Sequence, residues 1–175
     1  MRARQPRRPR PPLDETALKE LGLAYVARFA TSRAKLADYL RRKLRERGWA
    51  DSGEPPVADI VAWAAEAGFI DDPAYALSKA RVLGARGYGE RRGGQALRAA
   101  GIEDDDGAAA RAHARETAEE AALRFARRKR LGPYAATPPD RKESDKALAA
   151  MIRAGHAFDL ARRILSLPAD FDSQA

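Results

Sequence analysis

The sequence predicts an all-α protein built from three tandem three-helix repeats, and three observations lead there. Apolar residues recur at spacings of three and four along most of its 175 residues, and no convincing run alternates apolar with polar. Glycines and prolines interrupt that pattern at helix-length intervals. Leu44 with Gly48, Leu97 with Gly101, and Met151 with Gly155 each place an apolar residue four positions before a helix-ending glycine, which a bulky residue follows: Trp49, Ile102 or His156. From position 48 to 101 and from 101 to 155 the glycines are 53 and 54 residues apart. That period holds about three helices and marks units that bury faces against their neighbours, so an elongated array is expected.

A first helix is expected over 13–29, with Asp14 as cap, Leu13 and Leu18 as a hydrophobic staple, and Leu21 and Tyr25 continuing the buried stripe. Ser32 caps a second helix in which Leu36, Leu40 and Leu44 repeat every fourth residue until Gly48 stops it. After a loop holding Gly53, Pro55 and Pro56, residues Val57, Ile60, Val61 and Ala64 form the stripe of a third helix that Gly68 ends. The next stretch is a hinge made by Gly68, Ile70, Asp71, Asp72 and Tyr75. Asp72 caps the following helix with Pro73 at its first position, or Asp71 caps it, which makes Ile70 and Tyr75 a staple.

That helix runs to about 85 and is ended by Gly84, Gly87 and Gly89; a short one over 90–100 stops at Gly101. Residues 104–130 are rich in Ala, Arg and Glu, and a capping box of Thr117 with Glu120 divides them into two helices closed by Gly132 and Pro133. A loop with Pro138 and Pro139 leads to a helix over about 141–154. Phe158, Ala161, Ile164 and Leu165 give the last stripe before Pro168. The expected divisions are therefore 1–12, a disordered basic arm; 13–68, 69–116 and 117–167, the three repeats; and 168–175, a flexible tail.

Apolar residues make up 45% of the chain, enough for a core, and charged residues 33%. The net charge is +8, of which Arg2, Arg4, Arg7, Arg8 and Arg10 supply five, leaving +3 for the remainder. The arm is either a nucleic-acid contact or a solvated tail. Absence of cysteine excludes a disulfide framework and thiolate metal sites and fits a reducing compartment. No apolar run approaches the roughly 18 residues of a membrane helix, and the arm lacks the apolar core of a secretory signal.

Catalytic chemistry is not visible. His113 and His156 are the only imidazoles, at no metal-ligand spacing, and His156 reads as a cap or packing residue. The glycines at 84, 87, 89, 93 and 94 contain no phosphate-cradling motif. Asp104, Asp105 and Asp106 are most simply acidic residues favoured at a helix start. No nucleophile has a plausible base, so no enzyme, no metal and no cofactor is expected.

Positive charge is unevenly placed. Between Arg28 and Arg47 eight Lys or Arg stand against Asp38 and Glu46, with Arg41, Arg42 and Arg45 projecting away from the leucine stripe. Between Lys79 and Arg98 six stand against Glu90, with Arg91 and Arg92 at a helix start. Arg124, Arg127, Arg128, Lys129 and Arg130 form a third cluster. Any one of these is ordinarily a solvated helix face; one in each repeat is what a protein tracking a polyanion would show.

Several stretches together resemble the RecX family, small bacterial regulators of the RecA recombinase. They are Ser32-Arg33 with Leu36, Leu40 and Leu44; Gly68-Phe69-Ile70-Asp71-Asp72 with Tyr75-Ala76; Gly87-Tyr88-Gly89 with Arg91-Arg92; and Leu97-Arg98 with Gly101-Ile102. The run from Ala122 to Pro133 and Met151 to His156 also look like family sequence, so the resemblance covers about 13–167. Two departures stand out. Gly93-Gly94 occupy positions where the family more often has helix formers, and Lys35 stands where an acidic residue often follows the Ser-Arg pair.

The resemblance implies a curved, elongated array of three three-helix repeats; a monomer in the cytoplasm is expected. The implied function is binding to the RecA nucleoprotein filament, restraining its growth, ATP hydrolysis, strand exchange and co-protease activity in DNA repair, recombination and the SOS response. Candidate contacts with that partner, and weak salt-dependent ones with single- or double-stranded DNA, are Arg41, Arg42, Arg45, Arg91, Arg92, Arg98, Arg127, Arg128, Lys129 and Arg130. The competing reading is a basic helical DNA-binding module or transcription regulator without a recombinase partner.

Overall fold

A computed structural model describes residues 10–169, so the expected arm up to residue 9 and the expected tail from residue 170 lie outside the described residues. Among the described residues are nine α-helices, one short 3₁₀ helix and no strand. They divide between Asp71 and Asp72 into two compact units.

The first unit holds α1 (Glu15–Val26), α2 (Arg33–Arg47) and α3 (Val57–Glu66). Asp14 caps α1 by accepting from the Ala17 amide at 2.8 Å, and Ser32 caps α2 by accepting from Lys35 at 3.3 Å. Leu18, Leu36 and Leu40 reach complete burial with Ile60 and Ala64 of α3, as the stripes predict. Leu13 is not part of α1. It pairs in a parallel bridge with Trp49, its amide donating to Gly48 at 3.0 Å and its carbonyl accepting from Ala50 at 2.8 Å. A fully buried leucine contributes about 1.5–3 kcal/mol, so this short extended segment anchors the chain to the core as firmly as a helical position would. The first helix also ends at Val26, three residues short of expectation, because the chain tightens there: Arg28 donates to Tyr25, and Phe29 is left exposed.

The second unit holds α4 (Asp72–Ala85), α5 (Glu90–Arg98), α6 (Ala108–Glu116), α7 (Ala118–Lys129), the 3₁₀ turn Gly132–Tyr134, α8 (Arg141–Arg153) and α9 (Phe158–Leu165). Helices α4 to α6 share a core of small residues, Ala76, Ala80, Ala100 and Ala110 around Leu97 and Ile102. Helices α7 to α9 share another, built on Phe125, Met151 and Ile164.

Several expectations are corrected in this unit. Helix α4 begins at Asp72 itself, so the capping position falls to Asp71 and Pro73 stands second, still within the turn whose amides need no helical partner. Helix α6 begins at Ala108, leaving Asp104 to Asp106 in the preceding turn, where Asp104 pairs with Arg111 at 3.3 Å. Thr117 does divide α6 from α7, but no capping box forms: its hydroxyl donates back to the His113 carbonyl at 2.8 Å, and Glu120 pairs with Arg124. Helix α7 stops before Gly132, because Arg130 takes the left-handed conformation (φ 53°) and closes the helix. Phe158 is 50% exposed; Ala161 and Ile164 alone carry the buried part of the α9 stripe. Helix α5 is continuous through Gly93 and Gly94.

Candidate partner and nucleic-acid interface

In the first unit α2 sets out its cations as the leucine stripe requires: Leu36 and Leu40 face the core, and Arg41, Arg42 and Arg45 are exposed. Part of that charge is met locally. Arg41 lies 3.5 Å from Asp38, and Glu46 takes Lys43 at 2.6 Å and Arg42 at 3.9 Å. The Lys43 hydrogen bond, helped by the charges of Lys43, Arg42 and Arg10, holds the Glu46 carboxyl below its ordinary range. With both acids of the helix engaged, α2 keeps a cationic surplus on its outer face.

In the second unit the structure brings together residues far apart in sequence. Arg92 of α5 and Arg128 of α7 both lie over the Tyr88 ring, at 5.7 and 5.8 Å from its centroid, and Arg128 also lies 5.4 Å from Phe125 and donates to the Arg86 carbonyl. Arg127 turns instead to Tyr134, at 5.2 Å. Arg91, Arg98, Lys129 and Arg130 are exposed. Electrostatics separates these groups. Cations in the last turn of α7 sit where the helix dipole favours them, whereas Arg91 and Arg92 occupy the first turn of α5, where it does not.

The loop that carries Tyr88 is fixed by backbone. Gly89 donates to the Ala154 carbonyl at 3.0 Å and Arg91 to that of Gly155 at 3.2 Å. A Cβ on Gly89 would fall 2.4 Å from the Gly155 oxygen, and one on Gly155 would fall 2.5 Å from the Arg92 nitrogen. His156, 1% exposed, completes the joint through Nε2, 3.1 Å from the Gly87 carbonyl. That oxygen can only accept, so Nε2 carries the proton and Nδ1 is left as a buried acceptor without a partner among the described residues. Burial pushes the imidazole pKa below its ordinary 6.5, opposed by the Gly87 bond. His156 is thus the packing residue expected, and what it packs is specific, since it locks the Gly87-Tyr88-Gly89 loop to the turn before α9. Sequence reasoning placed the arginines but not their meeting at Tyr88; the one available signal was a tyrosine between two glycines ahead of Arg91-Arg92.

At the hinge, Gly68 has φ 77° and its neighbour Phe69 donates to Ala64 at 2.9 Å, the bond of a left-handed helix end. Ile70 and Asp72 are buried at 4% exposure each, Asp71 is exposed, and Tyr75 is half-buried beside Lys79. Among the described residues no group of three or more His, Asp or Glu side chains could hold a metal ion, and no helix is long and apolar enough to cross a membrane.

No family model matches the chain. Two curated relatives do. The regulatory protein RecX of Myxococcus xanthus is 36% identical over 170 residues, spanning 93% of this chain and 90% of its own, and that of Agrobacterium fabrum is 28% identical over 137 residues, spanning 76% and 73%. Two solved structures share the fold: RecX from Lactobacillus salivarius, with a TM-score of 0.68 at 19% identity over 86% of this chain and 93% of its own, and a second regulatory protein RecX, with a TM-score of 0.66 at 21% identity over 86% and 70%. An identity of 36% sustained over nearly the full length of both chains places this protein among regulators of one kind: it belongs to the RecX family.

Proposed function

We propose that this protein is a mainly negative modulator of RecA, binding the RecA nucleoprotein filament and restraining its growth, ATP hydrolysis, strand exchange and co-protease activity. The observation that carries this reading is the match to a regulatory protein RecX over 93% of this chain and 90% of that relative. The distribution of charge supports it, because a partner wrapped on DNA presents phosphates along its length, and the chain offers exposed cations on α2, α5 and α7. Arg91 and Arg92 support it further: placed against the helix dipole, they gain nothing from their own helix and would gain from an anion.

The test is to add the protein to RecA on single-stranded DNA and follow ATP hydrolysis and filament length. Substoichiometric inhibition is expected; no effect at several-fold excess would sink the proposal. The role of the arginines is read on one variant with Arg41, Arg42, Arg45, Arg91 and Arg92 changed to Ala. Phosphate contacts predict that affinity for bare single strands falls with salt at a slope near −0.7 per contact, and that the variant flattens it accordingly. Contacts with acidic patches on RecA predict instead weaker inhibition with unchanged DNA binding. A chain that binds DNA normally and leaves RecA alone would favour the basic DNA-binding module.

A further inference from the structure

Helix α3 is apolar almost all round; only Asp59 and Glu66 interrupt it. Its Ile60 and Ala64 face the unit's core, yet Ala58 and Ala62 on the other side are exposed. A helix apolar on every face is ordinarily one covered on every face. Here the second face, with Ala34 and Ala37 of α2, lines an open groove of about 720 Å³ whose floor is Val57 and Val61. Alanine walls are shallow enough for another helix axis to approach to roughly 8–10 Å.

The rim gives the chemistry of the occupant. On the α2 side the groove is edged by Arg33 and Arg41, and on the α3 side Glu66 is its one acid. Eight residues of helix separate the two arginines by roughly 12 Å, so carboxylates two turns apart on one face of an approaching helix would reach both, at Arg41 beside the exposed Asp38 carboxylate 3.5 Å away. We propose that this groove is a docking site for an amphipathic helix of a protein partner, with small or aliphatic residues at i, i+3, i+4 and i+7 toward the alanines and an acidic flank toward α2. It rests on the function proposed above only in naming RecA as the protein that supplies the helix.

Two measurements on the full chain test it. The first uses a labelled 18-residue helical peptide with Leu and Ala on one face and Glu on its flank, and the same peptide with Lys in place of Glu. The acidic peptide is expected to bind at least tenfold tighter than the lysine peptide. It should bind at least tenfold weaker to an Ala62→Trp variant, in which the indole fills the groove from an exposed position, and unchanged to Ala62→Ser. Arg41→Glu should weaken it severalfold. Equal binding of both peptides, or indifference to Ala62→Trp, overturns the proposal. Self-association of the wild type abolished by Ala62→Trp also overturns it, since the occupant is then a second copy.

The second measurement is inhibition of RecA by the same variants, with thermal melting as the check that they fold. Wild type inhibiting RecA while Ala62→Trp inhibits equally overturns RecA as the protein that supplies the helix and leaves the proposed function standing. Wild type binding the acidic peptide but leaving RecA unaffected sinks the proposed function and leaves the groove standing.

Discussion

Gly89 and Gly93 lie four residues apart, and the same substitution to alanine is expected to have opposite signs at the two. Gly89 has φ −80° and ψ 172°, which alanine adopts freely, so any cost there is steric. The added Cβ would meet the Gly155 carbonyl at 2.4 Å, backbone against backbone, with no flexible side chain to give way. Relief requires the two loops to part, which loosens the Gly89–Ala154, Arg91–Gly155 and His156–Gly87 hydrogen bonds. At about 1 kcal/mol each, with a further penalty for polar groups left buried, Gly89→Ala should cost about 2–4 kcal/mol. At Gly93, inside α5, a Cβ meets nothing within 4 Å, so Gly93→Ala should stabilise by about 0.5–1 kcal/mol through helix propensity alone. Far-UV circular dichroism during heating reads both: at about 2–4 °C per kcal/mol, a fall of roughly 5–15 °C for the first and a rise of roughly 1–4 °C for the second. A Gly89→Ala protein within about 0.5 kcal/mol of wild type would refute the backbone contact between the loops.

Leu13→Ala should cost about 2–4 kcal/mol in urea unfolding because it empties a fully buried site, while deletion of residues 1–9 should leave the transition nearly unchanged; equal effects would refute the anchoring bridge. The folded-state pKa of His156 is depressed, so the unfolded chain takes up the proton first. Its contribution to stability is therefore complete above about pH 6.5 and is lost as pH falls below that value. Unfolding at pH 7.5 and 5.5 should show this loss, with a smaller one for His156→Gln; equal losses would rule out His156 as the source. Arg130→Gly should raise stability by about 0.5–1 kcal/mol by relieving a left-handed non-glycine residue, while removing one cation from the α7 cluster. A destabilised variant would show that the arginine side chain matters more than its backbone.

What sequence made legible was whatever is decided within a few residues. Leu36 and Leu40 are buried because they share a helix face, and Gly48, Gly101 and Gly155 end helices at φ 84°, 66° and 96° because little else tolerates that turn. Decisions made across the chain were not legible. Leu13 reads as the start of a helix until Trp49 arrives beside it to form the bridge. Thr117 has the sequence of a cap, yet its hydroxyl finds the His113 carbonyl first. Asp140 and Glu143 do form a reciprocal capping box, a local signal that was there to be read behind the prolines of the preceding loop. Exposure of the arginines followed from periodicity; the convergence of Arg92 and Arg128 on Tyr88 depends on how α5 meets α7, which no periodicity encodes.

The joint between the Gly87-Tyr88-Gly89 loop and the turn before α9 also has a history in time. Its His156–Gly87 bond closes a separation of 69 residues and its Gly89–Ala154 bond one nearly as long, and such closures come late because the chain must surrender the entropy of the whole loop before any contact rewards it. The helices on either side are local and form early. Stopped-flow measurements on Gly89→Ala should therefore show a refolding rate close to that of wild type and an unfolding rate raised by nearly the whole of the lost stability, the mark of contacts absent from the transition state. If the joint is made late and broken first, the unfolding rate of the second unit should respond more to changes at Gly89, Gly155 and His156 than its refolding rate does, which makes this joint the place to lengthen or shorten that unit's lifetime.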